Sequence, residues 1–271
     1  MLKAGVIGHP IFHSKSPLIH GHWLNIYGIN GEYKTYDIAP DDLKTGVIKL
    51  IDEGLKGFNV TLPHKQNIMD LCKTLSNEAQ IIGAVNTVTI LDDGSLHGHN
   101  TDAYGFSQNL SETIPDFDWT HKIVTVIGAG GTTRAILYAL RQNNCHEIRL
   151  TNRTRDSAEK IGSPYHAKIV DWDMRSEACI NSDLVINTTS LGMNGQPDLE
   201  IDLSGMAKNG IVYDIVYHPL QTPLLKQALE KGMQSMTGIG MLLHQARPGF
   251  KSWFGVYPEV TETLTHILLK K

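Results

Sequence analysis

The stretch IVTVIGAGGTTRAI, residues 123–136, constrains the fold more than any other. A short apolar run meets a glycine-rich turn, and a helix-period segment follows at once. A buried strand that turns this tightly into a helix opens a βαβ unit, and such units build parallel sheets with helices on both faces. The rest of the chain keeps the same alternation. KAGVIG reads as a strand, and SPLIHGHWLNIYG as a helix with Ser16 as N-cap, Pro17 in its first turn and Gly28 near its end. EYKTYDI is a strand, PDDLKTGVIKLIDEG a helix, GFNVTLP a strand and HKQNIMDLCKTL a further helix. VNTVTIL and SLHGHN form a hairpin turned by Asp93-Gly94. A linking helix over about 102–113 leads to the loop IPDFDWTHK and then to the glycine turn. EIRLTNRT, AKIVDW, DLVINTTS and GIVYDIVY are further strands, and GIGMLLHQARPGFKSWFG and PEVTETLTHILLKK are closing helices. The expected class is α/β with mostly parallel strands.

A chain of 271 residues holds two cores of ordinary domain size. A net charge of −4 without any basic run gives no reason to expect nucleic acid. No segment approaches the ~18 apolar residues of a membrane span. The N-terminus MLKAGVIGHPIFHSKSP turns polar too early for a signal peptide and reads as a first strand. Cys72, Cys145 and Cys179 are odd in number and far apart, which argues against a disulfide framework and for a reducing cytoplasm. His97 and His99 share a strand face, but no HExxH or Cys/His spacing accompanies them, so no metal site is expected.

The glycine turn carries its own chemistry. Gly128 permits the strand-to-helix turn, and Gly130 lets backbone approach a pyrophosphate, which the helix N-terminus favours. Thr133 stands at the third small position of the usual fingerprint, a departure expected to loosen helix–strand packing. About twenty residues beyond the glycines, an NAD-preferring site places Asp or Glu on the ribose 2′-OH. This chain has Asn152, Arg153 and Thr154 there. Arg153 either caps a surface loop or supplies the charge that a 2′-phosphate needs; together with the glycine turn it favours NADP.

A second group of polar residues gathers at strand ends. In FNVTLPHK, Phe58, Val60 and Leu62 share one face of an extended segment, Asn59 and Thr61 the other, and Lys65 follows Pro63 by two residues. Ser14 and Ser16 stand before the first helix, where hydroxyls suit a carboxylate. Asn86 begins a strand face that otherwise points inward, and a buried amide needs partners. Asn100, Thr101 and Asp102 stand where the hairpin runs into the linking helix; Asp102 is either a first-turn helix residue or part of a site. Hydroxyls, amides, one lysine and one aspartate suit a small, polyhydroxylated, anionic molecule.

In order along the chain, the motifs are HSKSP (13–17), NVTLPHK (59–65), GAVNT (83–87), NTD (100–102), GAGG (128–131), NRT (152–154), DIVYHP (214–219) and TGIGMLLHQA (237–246) with Trp253. With these motifs the chain resembles the shikimate dehydrogenase family over essentially its whole length. The resemblance implies an N-terminal α/β substrate-binding domain, residues 1–101 with 240–271 returning to it, and a Rossmann-type NADP-binding domain, residues 102–239, with a cleft between them. It implies reversible NADPH-dependent reduction of 3-dehydroshikimate to shikimate in aromatic amino-acid biosynthesis, with Lys65 and Asp102 as the catalytic pair. Ser14, Ser16, Asn59, Thr61, Asn86, Tyr217 and Gln245 would hold the substrate. Gly128, Ala129, Gly130, Gly131 and Thr132, with Asn152, Arg153 and Thr154, would hold the cofactor phosphates and ribose; Ile215, Gly238 and Met241 would line the nicotinamide. Ala103, Thr132, Thr133 and Arg247 depart from the family's usual residues, and none of them removes a catalytic group. A quinate/shikimate dehydrogenase shares most of these motifs, and a non-catalytic ligand-binding protein on the same scaffold is the reading from another class. Both a monomer and a homodimer fit the modest charge.

As a ketone takes up hydride, negative charge grows on its oxygen, where a lysine ammonium stabilises it and donates the proton. Proton carrier and electrostatic stabiliser are both open roles for Lys65, and Asp102 either accepts from the same hydroxyl or orients the lysine.

Overall fold

KAGVIG, EYKTYDI and GFNV lie side by side as parallel strands in the computed structural model, which describes residues 1–270. They are β1 (Leu2–Gly8), β2 (Gly31–Asp37) and β3 (Gly57–Val60). With β4 (Thr74–Leu75), β5 (Thr87–Ile90) and β6 (Leu96–His99) they form a sheet in the order β2-β1-β3-β5-β6-β4. β5 is antiparallel to both β3 and β6, so this sheet is mixed rather than parallel throughout. Alternation along β3 decides what each face does. Phe58 and Val60 enter an apolar cluster with Ile7, Val47, Leu50 and Val88. Asn59 faces the other way, towards the helix Ser16–Ile26, where His20 is enclosed by Trp23, Tyr33, Phe250 and Trp253.

The second sheet is parallel throughout. β7 (Ile123–Ile127), β8 (Glu147–Thr151), β9 (Lys168–Val170), β10 (Leu184–Asn187), β11 (Ile211–Asp214) and β12 (Gln234–Thr237) are ordered β12-β11-β10-β7-β8-β9. The chain winds outward from β7 through β9, then returns to β10 on the other side and winds outward again. That is the doubly wound dinucleotide topology, in which ligands bind beyond the carboxyl ends of the strands where the winding reverses. The chain divides into two compact units. One comprises Met1–Gly105 with the segment from Leu243 onward, and the other Phe106–Leu242. Among the described residues no helix is long and apolar enough to cross a membrane.

Three local expectations fail and one strand is passed over, each for a physical reason. HKQNIMDLCKTL is not an α-helix but turns and a short 3₁₀ segment, Asn67–Leu71, leading into β4. Its backbone groups are spent on tertiary partners: the Lys65 carbonyl accepts from Val85 N–H at 2.7 Å, and Lys73 N–H donates to Leu96 at 2.9 Å. Leu62 does not share the core face with Phe58 and Val60, because β3 stops at Val60 and leaves Leu62 71% exposed. Ser16 is the first helical residue rather than the N-cap, which is Lys15; the Ser14 hydroxyl accepts from Ser16 N–H at 3.3 Å instead. β12, an edge strand of sequence QSMT, has too little apolar alternation to stand out in the sequence.

Two buried groups, one in each unit, make opposite contributions to the response to acid. Burial lowers His20 from its ordinary 6.5 to about 3, and the nearby Asn59 side chain opposes the shift. Below about pH 6.5 the unfolded chain therefore takes up a proton that the folded first unit refuses, so stability falls as pH falls, by up to ~1.4 kcal/mol per pH unit. Asp214 runs the other way. Burial raises it from 3.8 to about 6, against hydrogen bonds from Thr222, Val216 and Asn187, so the folded second unit gains a proton, and stability, as pH falls through 6. His20→Phe is expected to reduce the first unit's stability loss between pH 7 and pH 5 by roughly 2 kcal/mol, measured by hydrogen exchange of its core amides. An unchanged pH slope would show that His20 is not held neutral.

Candidate active site

The turn after β3 is fixed before any side chain reaches outward. His64 is fully buried, and its Nε2–H donates to the Ile38 carbonyl at 2.7 Å. Thr61 N–H donates to Ile7 and the Thr61 carbonyl accepts from His64 N–H, at 3.0 and 2.9 Å. Lys65, held at its carbonyl by Val85, extends its ammonium to Asp102 Oδ2 at 2.6 Å. The two side chains are only 14% and 7% exposed. An ion pair this dry needs every remaining lone pair satisfied.

Asn86 supplies that satisfaction. Its Nδ2 donates to Asp102 Oδ1 at 2.8 Å and to Thr101 Oγ1 at 3.0 Å, with Gln245 Oε1 at 3.2 Å. Its Oδ1 accepts from Thr101 N–H at 2.8 Å and from the Thr87 hydroxyl at 3.0 Å. Thr101 in turn donates its hydroxyl to the Gln245 carbonyl at 2.8 Å, and Asn100 Oδ1 accepts from Asp102 N–H at 3.0 Å. Asn59 is 5% exposed, and both its amide hydrogens are engaged inside the protein, on the Asn86 carbonyl and Thr87 Oγ1. The structure thus brings Lys65, Asn59, Asn86, Asp102 and Gln245 into one network within the first unit. Ser14 and Thr61 are partly buried and Ser16 is buried in the same unit.

The other predicted residues stand in the second unit, at the carboxyl ends of its strands. Gly128 follows β7 with φ +113°, and a Cβ there would lie 2.5 Å from Thr188 Oγ1, so only glycine fits. A Cβ on Gly130 would meet nothing within 4 Å, so the space beside its Cα is clear for a ligand to approach the N-terminus of the helix Gly131–Gln142. Ala129, Gly131 and Thr132 are half-buried around that turn. Thr133 does not loosen the packing. It is fully buried, accepts from Gly130 N–H at 2.9 Å and bonds Thr188 Oγ1 at 2.7 Å, so it ties the helix start to β10. Beyond β8, Asn152 Nδ2 donates to the Thr154 carbonyl at 2.9 Å, while Arg153 and Thr154 are exposed.

Beyond β11, Asp214 anchors the loop that carries Ile215 and Tyr217. It accepts from Asn187 Nδ2, Val216 N–H and the Thr222 hydroxyl at 3.0, 3.0 and 2.7 Å. Burial raises the Tyr217 hydroxyl above its ordinary value. A Cβ on Gly238 would fall 2.0 Å from the Ile215 carbonyl oxygen, so these two backbones are in direct contact; Met241 is buried one turn further on. The clear space beside Gly130, the helix N-terminus next to it and an exposed arginine beyond β8 fit the phosphates of a dinucleotide.

Sequence reasoning passed over Thr87, Thr188 and Tyr33. Thr87 lies in GAVNT and directly faces Asn59 across β3 and β5. Antiparallel pairing there would have marked it, but that register is not readable from either segment alone.

A family described as "Shikimate dehydrogenase substrate binding domain" matches residues 6–88, and one described as "Shikimate / quinate 5-dehydrogenase" matches residues 109–193. A shikimate dehydrogenase (NADP(+)) of Dinoroseobacter shibae is 46% identical over 263 residues, spanning 96% of this chain and 95% of its own. Among solved structures, a shikimate 5-dehydrogenase from Thermus thermophilus in complex with NADP(H) and shikimate aligns with TM-score 0.87 at 32% identity, covering 100% of this chain and 99% of that one. A quinate dehydrogenase from Corynebacterium glutamicum in complex with NAD aligns with TM-score 0.90 at 30% identity, covering 98% of each chain. Near-complete coverage at 46% identity, with both family descriptions matching in order along the chain, decides the matter: the chain belongs to the shikimate dehydrogenase family.

Proposed function

We propose that the chain catalyses the reversible NADPH-dependent reduction of 3-dehydroshikimate to shikimate. The observation that carries this reading is the Lys65–Asp102 pair, 2.6 Å apart and largely dry, in a chain whose second unit has a dinucleotide turn. The first unit serves as the substrate domain and the second as the cofactor domain. NADPH supplies the hydride when bound. Lys65 Nζ stabilises the negative charge that grows on the ring oxygen and gives it a proton; in the oxidation direction it takes the proton from the alcohol. Asp102 holds the ammonium in place and accepts from the reacting hydroxyl. Ser14 and Ser16 meet the substrate carboxylate and Thr61 and Gln245 its hydroxyls, Asn86 serves the same substrate by ordering Gln245 and Asp102, and Tyr217 is a further substrate-binding residue. Asn59 contributes by holding the Asn86 and Thr87 positions, since its own donors are spent there.

Gly128 to Thr132 cradle the cofactor diphosphate, with Asn152, Arg153 and Thr154 at its ribose phosphate and Ile215, Gly238 and Met241 at the nicotinamide. Arg153 is exposed and makes no ion pair among the described residues, so its charge is available to a 2′-phosphate. Arg155 is not, because it pairs with Glu159 and Asp171. The enzyme works in the reducing cytoplasm, where the free thiols of Cys72, Cys145 and Cys179 persist.

Quinate is the competing substrate, favoured by the structural likeness to a quinate dehydrogenase. Following NADP+ and NAD+ reduction with shikimate and with quinate decides between them, with shikimate and NADP+ expected as the productive pair. Lys65→Met is expected to lower kcat by about 10²–10⁴ with a smaller change in KM. Turnover near wild type would remove Lys65 from the chemistry. Arg153→Ala is expected to raise KM for NADPH far more than for NADH; equal changes would show that Arg153 does not read the 2′-phosphate.

A further inference from the structure

Tyr33 lies on β2, two strands from Asn59 on β3, and is only 8% exposed. Its hydroxyl is nevertheless 2.6 Å from Asn59 Oδ1. His20 stacks on the phenol with ring centroids 3.9 Å apart and planes 2° from parallel, which fixes the ring. None of this is needed to fill a core, which a phenylalanine would do as well. We propose that Tyr33 is a positioning residue: it heads a one-way hydrogen-bond relay through Asn59, Thr87 and Asn86 that fixes the Asp102 carboxylate for its work with Lys65. The proposal rests on the reading of Lys65 and Asp102 as the proton-handling pair.

The direction of the relay is forced from its ends. A carboxylate only accepts, so Asn86 Nδ2 donates to Asp102 Oδ1 at 2.8 Å. Asn86 Oδ1 then faces the Thr101 backbone N–H at 2.8 Å, which only donates, and the assignment agrees. The second lone pair of Asn86 Oδ1 takes the Thr87 hydroxyl hydrogen at 3.0 Å. Thr101 Oγ1 lies farther from Thr87, at 3.3 Å, and spends its own hydrogen on the Gln245 carbonyl. With its one hydrogen used, Thr87 Oγ1 accepts from Asn59 Nδ2 at 3.1 Å. The other Asn59 hydrogen goes to the Asn86 carbonyl at 3.2 Å, which turns Oδ1 towards Tyr33 and makes the phenol the donor. Every donor therefore points along the chain towards the one anion at its end, and each link polarises the next. Ser16 is a further polar group in reach of the phenol.

Without the phenol hydrogen, Asn59 Oδ1 is a buried acceptor with no donor, and its amide no longer locks Thr87. Tyr33→Phe keeps the ring stacked on His20 and removes only the hydroxyl. Thr87→Val cuts the relay at its middle, and Thr87→Ser restores the hydroxyl. The test is steady-state oxidation of shikimate by the purified full chain, with NADP+ affinity and melting temperature measured on each variant. Tyr33→Phe and Thr87→Val are each expected to lower kcat by about tenfold while leaving the Kd for NADP+ within about twofold. The double variant is expected to be no slower than the worse single, and Thr87→Ser to turn over close to wild type. Wild-type kcat in Tyr33→Phe, or losses that multiply in the double variant, would overturn the relay. A wild-type chain that does not oxidise shikimate would instead fail the functional reading, which separates the two.

Discussion

A lysine and an aspartate shut away from water on one salt bridge set the terms for the whole first unit. Removing one partner from such a pair strands a buried charge and costs on the order of 3–5 kcal/mol, so the pair persists only where the surroundings complete it. Here they do. The Asp102 carboxylate receives the ammonium on one oxygen and an amide on the other, and its backbone N–H is capped by Asn100. The Lys65 main chain is pinned through Val85 and, one residue earlier, through the buried His64 ring. Much of the polar character of β3, β5 and the segment 100–102 follows from that single requirement.

The second unit meets a different constraint, which is backbone approach rather than charge. Gly128 must turn where Thr188 leaves no room for a side chain, and Gly238 must pass Ile215 at backbone contact. Thr133, where a smaller residue is usual, turns this crowding to use by bonding both Gly130 and Thr188. The hydroxyl thus supplies in hydrogen bonds the close packing that a small side chain would supply by its size.

The fold was legible wherever a local pattern and a global role coincide. Strand–glycine–helix at 123–136 could only be a βαβ opening, and Asp93-Gly94 between alternating segments could only be a hairpin. Legibility failed where tertiary partners overrule local preference. Residues 64–75 have helix-compatible spacing, yet Val85 and Leu96 claim their backbone groups. The same split holds at the site. Lys65 and Asp102 are visible because charge at a strand end or helix start is conspicuous, and the two do meet. Tyr33 and Thr87 are ordinary strand residues until the sheet order places one in reach of Asn59 and the other opposite it. Sheet order and register are long-range facts that no window of sequence contains.

The dependence of Lys65 and Asp102 on one another is measured most directly by a double-mutant cycle on kcat for shikimate oxidation, using Lys65→Met, Asp102→Asn and the pair together. If ammonium and carboxylate act as one proton-handling unit, each single change removes most of the rate and the double variant is about as slow as the worse single. Losses that simply multiply would mean the two groups act independently, and the salt bridge would then be a structural feature beside the chemistry rather than its centre.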